Sequence, residues 1–218
     1  MSYDYVIVGS GFGGAVSACR LSAAGRKIVV LGRGRRWAPE DYPRDLDDAW
    51  IWDPDEPHEQ NGWIDLRFMD QMWVAQGAGV GGGSLIYANV SIDAPPEMLD
   101  TGWPAPISAA ELAPYYARAA EMLRPTPLPV GQETKRYELM RDAARAIGAE
   151  GRVRRVDLFV VFSGGWHYDL PDPQSEQHSR WFTNDQGRRQ GTCIHWGNCD
   201  IGCPVQAKNT LDLNYLAA

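Results

Sequence analysis

The chain has 218 residues, 44% hydrophobic and 22% charged, which excludes a disordered segment and supplies apolar material for one sizeable core or two small ones. A formal net charge of −7 leaves no broad basic surface, so nucleic acid is excluded as the expected partner and binding function belongs in pockets. No apolar run reaches the roughly 18 residues of a membrane span, and the start Met1-Ser2-Tyr3-Asp4-Tyr5 lacks a basic leader, so no membrane span and a cytoplasmic location are expected.

Tyr5-Val6-Ile7-Val8 is a short apolar run rich in β-branched residues, the pattern of a strand buried on both faces of a parallel sheet. Gly9-Ser10-Gly11-Phe12-Gly13-Gly14 follows and fits G-x-G-x-x-G with Gly13 as an extra glycine. In that pattern the first glycine allows the tight turn, the second lets a pyrophosphate approach the backbone, and the third permits close helix–strand packing. Ala15 to Ala24 reads as a small-residue helix stopped by Gly25, and Lys27 to Leu31 as the second strand. Strand, motif, helix and strand in this order predict dinucleotide binding at the helix amino terminus.

The carboxylate that would hold an adenosine ribose at the end of the second strand is absent, because that position is Gly32. With Arg33, Arg35 and Arg36 beside it, the spacing suits a 2′-phosphate equally well, so an NADP-binding reductase module stands open as an alternative. Frequent Pro and Trp from Trp37 to Pro106 predict long irregular connections.

Within that region Gly77-Ala78-Gly79-Val80-Gly81-Gly82-Gly83-Ser84-Leu85 has five glycines in nine residues, a stretch expected to lie as irregular backbone flat against a ligand. Further on, Ser108-Ala109-Ala110-Glu111 matches a capping box, with Pro114 placing the regular helix nearer Glu111 and its end at Leu123, and with Tyr115, Ala119 and Met122 on its apolar stripe. Tyr137, Met140, Ala144 and Ile147 mark a second helical core face closed by Gly148. Val153 to Phe162 is the next strand candidate, and Gly164 to Gln190 reads as loop, a lid or an insertion.

Cys193, Cys199 and Cys203 crowd together while Cys19 sits alone in the first helix, and free thiols are expected. With His195 they form C-x-H-x₃-C-x₃-C, which lacks a C-x₂-C knuckle, so packed thiols are preferred to a metal site. His58, His167, His178 and His195 stand in no recognisable acid–base arrangement and receive no role. Thr210 to Ala218 looks like the opening of a helix without a closing cap, read as truncation, and a single βαβ unit leaves a doubly wound sheet incomplete.

Three blocks together, Val6 to Gly14, Gly77 to Asn89, and Cys193 to Leu216 with its Ala207-Lys208-Asn209-Thr210-Leu211 run, resemble the GMC (glucose–methanol–choline) oxidoreductases, particularly their cholesterol-oxidase-like branch. The resemblance implies an α/β fold: an incomplete FAD-binding Rossmann-like domain with the start of an α+β substrate domain. It implies FAD as cofactor and an alcohol or sterol as small-molecule substrate, oxidised at CH–OH. Gly9, Gly11, Gly13 and Gly14 would serve the pyrophosphate, and Gly79, Gly81, Gly82, Gly83, Ser84 and Asn89 the flavin side. Residues 1–100 would begin the FAD domain, 101–190 belong to the substrate domain, and 191–218 return to the FAD domain. Gly32 and Tyr87 depart from the family's ribose-binding Glu and flavin-side Asn, and Trp196 stands where close relatives carry another cysteine. The family's catalytic residues would lie beyond this stretch, so none is assigned, and a non-catalytic fragment completed by a carboxy-terminal partner chain is a competing expectation.

Overall fold

The first strand β1 (Tyr5–Val8) and the second β2 (Ile28–Leu31) pair in parallel, Tyr5 opposite Ile28 through Val8 opposite Leu31, with helix α1 (Phe12–Ala23) between them in the chain. The computed structural model describes residues 2–99, 101–104 and 106–218. Helix α1 starts three residues earlier than its sequence pattern indicates, because Gly13 and Gly14 join the first turn. It ends as expected at Gly25, whose φ is +74°. There the Gly25 and Arg26 N–H groups close on the Ser22 and Leu21 carbonyls, the paired bonds of a Schellman stop.

The expectation that β1 is buried on both faces does not hold: Val6 is 60% and Val8 86% exposed. Only β1 and β2 form this sheet among the described residues, and α1 packs on it, so apolar side chains selected for a two-sided sheet meet solvent.

An antiparallel hairpin of β3 (Ile64–Met69) and β4 (Met72–Gly77) interrupts the Trp- and Pro-rich stretch expected to be irregular. Its two-residue turn is Asp70-Gln71, with Asp70 at φ +54°, a left-handed conformation that Asp tolerates. The base of the hairpin is held by a cluster of Trp37, Tyr42, Trp63 and Leu85, in which Trp63 is fully buried.

Strand β5 (Val90–Ser91) and helix α2 (Pro96–Leu99) lead to α3 (Ala109–Leu123). Helix α3 begins at Ala109, not near Glu111, because Ser108 caps it: its hydroxyl accepts the Glu111 N–H at 3.2 Å despite Pro114. Its inward residue Leu123 joins Ala15, Cys19, Leu211 and Tyr215 in one core, whereas Tyr115, expected on the apolar stripe, is exposed. Helix α4 (Lys135–Ala146) ends at Gly148 in a second Schellman stop, but its expected core face is open, with Met140 64% and Ile147 80% exposed. The periodicity located the helix; of that face only Tyr137 and Ala144 are partly covered, with Arg155 over the Tyr137 ring.

The strand expected over 153–162 is reduced to β6 (Asp157–Leu158), paired with β5. The reason is that this segment divides its backbone bonds among several partners. Phe159 donates to Asn89, Val161 donates to Ala207, and the Val161 and Phe159 carbonyls accept from Cys193 and Asn209. The stretch 164–190 is mostly irregular, as expected, but closes in a short ladder of β7 (Phe182–Thr183) and β8 (Arg189–Gln190). Trp166 from this stretch is core, packed with Val160, Ile194, Val205 and Ala207.

Residues 211–217 form successive turns instead of the expected helix. Asn214 diverts the ladder, since its Nδ2 donates to the Thr210 carbonyl and its Oδ1 accepts the Tyr215 N–H, local bonds that compete with helical ones. Among the described residues no helix is long and apolar enough to cross a membrane.

Candidate functional site

The first glycine loop turns back on itself at Gly9, whose φ is +93° and whose N–H donates to the Leu31 carbonyl at 2.7 Å. A Cβ on Gly14 would stand 1.9 Å from the Gly9 carbonyl oxygen, so only glycine lets α1 approach β1 this closely. At Gly11 and Gly13 the situation is opposite: nothing lies within 4 Å of where a Cβ would project. Gly11 is the N-cap of α1, it has no capping side chain, and the first turn carries no acidic residue. The free N–H groups and the positive end of the helix dipole therefore border open space, a setting that favours a phosphate.

The second glycine loop packs directly against the first. A Cβ on Gly82, at φ +52°, would stand 2.8 Å from the Gly11 Cα, and the Gly81 N–H donates to the Ser10 hydroxyl at 3.2 Å. Instead of irregular backbone, the stretch supplies the end of β4 and a 3-10 turn over Gly82–Leu85. Gly79 lies under Trp37, 2.6 Å from where its Cβ would be, while Gly83 has no atom closer than the Phe12 ring at 3.8 Å. Ser84 is fully buried; its hydroxyl donates to the Gly81 carbonyl at 2.9 Å and accepts the Leu211 N–H at 3.0 Å.

That last bond ties in the third block. Lys208 is 2% exposed, its Nζ donates to the carbonyls of Leu85, at 3.0 Å, and Cys199, and it lies 4.9 Å from the centre of the Tyr87 ring. Burial lowers its pKa to about 8, opposed by nearby Cys199, Cys203, Asp200 and Asp212. Tyr87 donates its hydroxyl to the Asn209 carbonyl at 3.0 Å and meets Phe12 edge to face. Asn89 is 3% exposed at φ +53°, with an Oδ1 that has no hydrogen-bond partner. All four cysteines are free thiols, and burial pushes Cys193 up to about 12, which keeps it protonated and unreactive near neutrality.

Nine of the ten positions singled out in the sequence thus fall into two loops in mutual contact and Asn89 follows just after the second, with Gly11, Gly13 and Gly83 bordering open space, Asn89 holding an unmade bond, and Gly14, Gly79 and Ser84 consumed by packing. The open, uncapped turn at Gly11 and Gly13 leaves room of the kind a phosphate needs, whereas the unpaired Oδ1 of Asn89 is closed off by burial. Gly32 supplies no polar group for a ribose. Arg33 is bound to Asp65 at 2.6 Å and lies over Trp52, and Arg35 lies over Trp37, so two of the three arginines beside Gly32 are already engaged.

His195, given no role from the sequence, is held in a packed setting. It takes φ +57°, stacks on Trp166 with ring centres 4.0 Å apart, and pairs through Nε2 with the Gln132 Oε1 at 2.9 Å. Both Gln132 amide hydrogens are committed to the Ser163 and Trp166 carbonyls, so Nε2 of His195 is the donor, and burial lowers its pKa. Its partner Gln132 lies 63 residues away, and no local pattern announces the pair.

Over 98% of its length the chain is 37% identical to a cholesterol oxidase of Acinetobacter baumannii, covering 38% of that protein. A cholesterol oxidase of Mycobacterium tuberculosis (strain ATCC 25618 / H37Rv) is 32% identical over 98% of the chain, with 36% of its own length covered. A GMC-type oxidoreductase of Mycobacterium tuberculosis (strain CDC 1551 / Oshkosh) is 54% identical over 39 residues, 18% of the chain and 6% of that protein. The chain belongs to the GMC oxidoreductases, in their cholesterol-oxidase-like branch. It spans a little over a third of the length of the cholesterol oxidases it matches. No family model matches the sequence. In this GMC chain the three blocks that carry the relationship are the ones that meet at Ser10, Gly81, Ser84 and Leu211.

Proposed function

We propose that this chain is the FAD-binding portion of a flavin-dependent oxidoreductase that acts on the CH–OH group of an alcohol or sterol. The observation that carries the reading is the contact of the two glycine loops, Gly82 against Gly11, around the uncapped end of α1. A single phosphate grip needs one such loop; a cofactor with a pyrophosphate and a distant ring uses two. Gly9 and Gly14 set the turn, and Gly11 and Gly13 leave the pyrophosphate its place. Gly81, Gly82, Gly83 and Asn89 form the flavin side, with Gly79 packed beneath Trp37 as its support. Ser84 holds Gly81 in register from behind.

When bound, FAD supplies the hydride acceptor for alcohol oxidation. The chain's own residues orient it and exclude water from it: Phe12, Tyr87 and Phe159 form an aromatic wall beside the loops. No residue of the chain is assigned the alcohol proton. The division into a FAD domain over 1–100, a substrate-domain segment over 101–190 and a return segment over 191–218 belongs to the same reading; the boundary residue Asp100 lies outside the described residues. Of the three arginines behind the NADP alternative, Arg33 is held by Asp65 and Arg35 lies over Trp37, which leaves Arg36 as its remaining support.

The test is the visible absorption spectrum of the purified protein after incubation with FAD and desalting. Flavin bands that stay with the protein are expected; a colourless protein refutes the claim that this chain holds the cofactor. A second reading, a fragment that needs a complementing chain, is favoured by exposed Val6, Val8 and Leu31 on the two-stranded sheet. Retention of flavin only after co-expression with a carboxy-terminal GMC segment would support it over the first.

A further inference from the structure

In a nucleotide-binding βαβ unit the end of the second strand carries the carboxylate that takes an adenosine ribose hydroxyl. Here that position is Gly32, one residue beyond β2. Packing does not force the glycine. Gly32 is exposed, its φ lies outside the left-handed range, and the site of a Cβ has a single atom within 4 Å, the Ser10 Oγ at 3.8 Å. Gly34, two residues on, is the opposite case, since a Cβ there would stand 2.1 Å from the Ala78 carbonyl oxygen. A side chain is therefore excluded at Gly34 and admitted at Gly32.

The polar groups around this strand end are already spent. Asp65, to which Arg33 reaches, is 1% exposed, and its Oδ2 accepts from Arg33 Nη1 at 2.6 Å and from Arg67 Nε at 3.1 Å. Ser10 is 8% exposed and its hydroxyl accepts the Gly81 N–H. Arg33 lies over the Trp52 ring and Arg35 over the Trp37 ring, while Arg36 lines a cleft with Asp41 and Asp212. A carboxylate introduced at position 32 would thus face arginines that have other partners, and would keep its oxygens for a ribose. The uncapped start of α1, by contrast, borders open space.

We infer that this chain grips its dinucleotide at the pyrophosphate and the flavin and is indifferent to the adenosine ribose, and that Gly32 is the residue that sets the indifference. The inference rests on the FAD reading of the two glycine loops. A site that hydrogen-bonds a ligand hydroxyl rejects the analogue lacking it, because its own group is left unpaired; a site without such a group does not discriminate.

Flavin fluorescence titration of the purified chain with FAD and with its 2′,3′-dideoxyadenosine analogue tests this without any substitution. The two should bind within about threefold of each other. Gly32→Glu should then bind FAD about tenfold or more tightly than the unaltered chain does, with little gain for the analogue. Gly32→Gln, equally long but uncharged, should gain less, and Gly32→Ala should not reproduce the gain, which separates the carboxylate from the stiffer backbone. A preference of tenfold or more for FAD over the analogue in the unaltered chain, or a folded Gly32→Glu variant without the gain, would overturn the inference and leave the FAD reading standing. Failure of both proteins to bind either flavin would overturn that reading and the inference with it. The comparison on the unaltered chain decides the matter if Gly32→Glu does not fold.

Discussion

Gly11→Ala and Gly13→Ala form a pair in which stability and cofactor binding move apart. Gly11 has φ −70° and ψ −170°, extended backbone open to any residue, and no atom crowds the site of its Cβ. Alanine there loses only the N-cap preference, about 0.5–1 kcal/mol. For a chain of this size that is a fall of roughly 1–4 °C in Tm. Gly13 lies inside α1, where alanine is the better helix former by about 1 kcal/mol, so Gly13→Ala should raise the Tm of the flavin-free protein by a similar amount. Both methyls, however, project into the space above the first turn of α1 that the pyrophosphate is proposed to use. Each should deny the ligand one or two charge-assisted bonds worth about 1.5–3 kcal/mol apiece, a loss of at least tenfold in FAD affinity. Scanning calorimetry without FAD, paired with flavin fluorescence titration, reads both quantities. A variant more stable yet weaker in flavin binding cannot be explained by unfolding. If both variants bind FAD as the unaltered chain does, the space above α1 is not the pyrophosphate site and the proposal built on it fails.

Gly14→Ala should act on the fold itself, because its Cβ would sit 1.9 Å from the Gly9 carbonyl; a loss on the order of 3 kcal/mol is expected, read as a lowered urea midpoint, and an unchanged midpoint would contradict the close approach of α1 to β1. Ser84→Ala strands the Leu211 N–H in a fully buried site and should cost about 1–3 kcal/mol, with Ser84→Cys recovering little; amide exchange at Leu211 should quicken selectively. The alkaline limb of stability follows from Cys193. Its folded pKa of about 12 lies above the usual 9.0, so its contribution is complete below pH 9 and is lost as the pH rises through 12. Buried Tyr42 and Tyr87, also raised, lose theirs above pH 10, whereas Lys208, lowered to about 8 from 10.5, adds stability between those two values. Stability should therefore peak near pH 9, and Cys193→Ala should flatten the decline between pH 9 and 12 in urea titrations; an unaltered decline would rule Cys193 out as its source.

Local order was written in the sequence wherever one short segment decides it. The G-x-G-x-x-G turn, the Gly25 and Gly148 stops and the Ser108 cap each follow from a few neighbouring residues, and all took the form their chemistry dictates. The relationship to the GMC family was equally legible, because it rests on residue identity in three ordered blocks. Whether an apolar face is covered is a different kind of fact. The patterns of Val6, Met140 and Ile147 promise burial, but burial depends on what packs against them, and no periodicity within a strand or helix contains that. The failed helix after Thr210 and the shortened strand at Asp157 have the same origin, since the bonds that displaced regular structure come from the Asn214 side chain and from Asn89, Cys193, Ala207 and Asn209. Sequence alone therefore determined the glycine cradle and its ancestry, through turn geometry and residue identity. Only the tertiary structure could bring Gly82 onto Gly11, pair His195 with Gln132, and turn Arg33 onto Asp65, because those meetings join segments tens of residues apart and depend on how the whole chain excludes water.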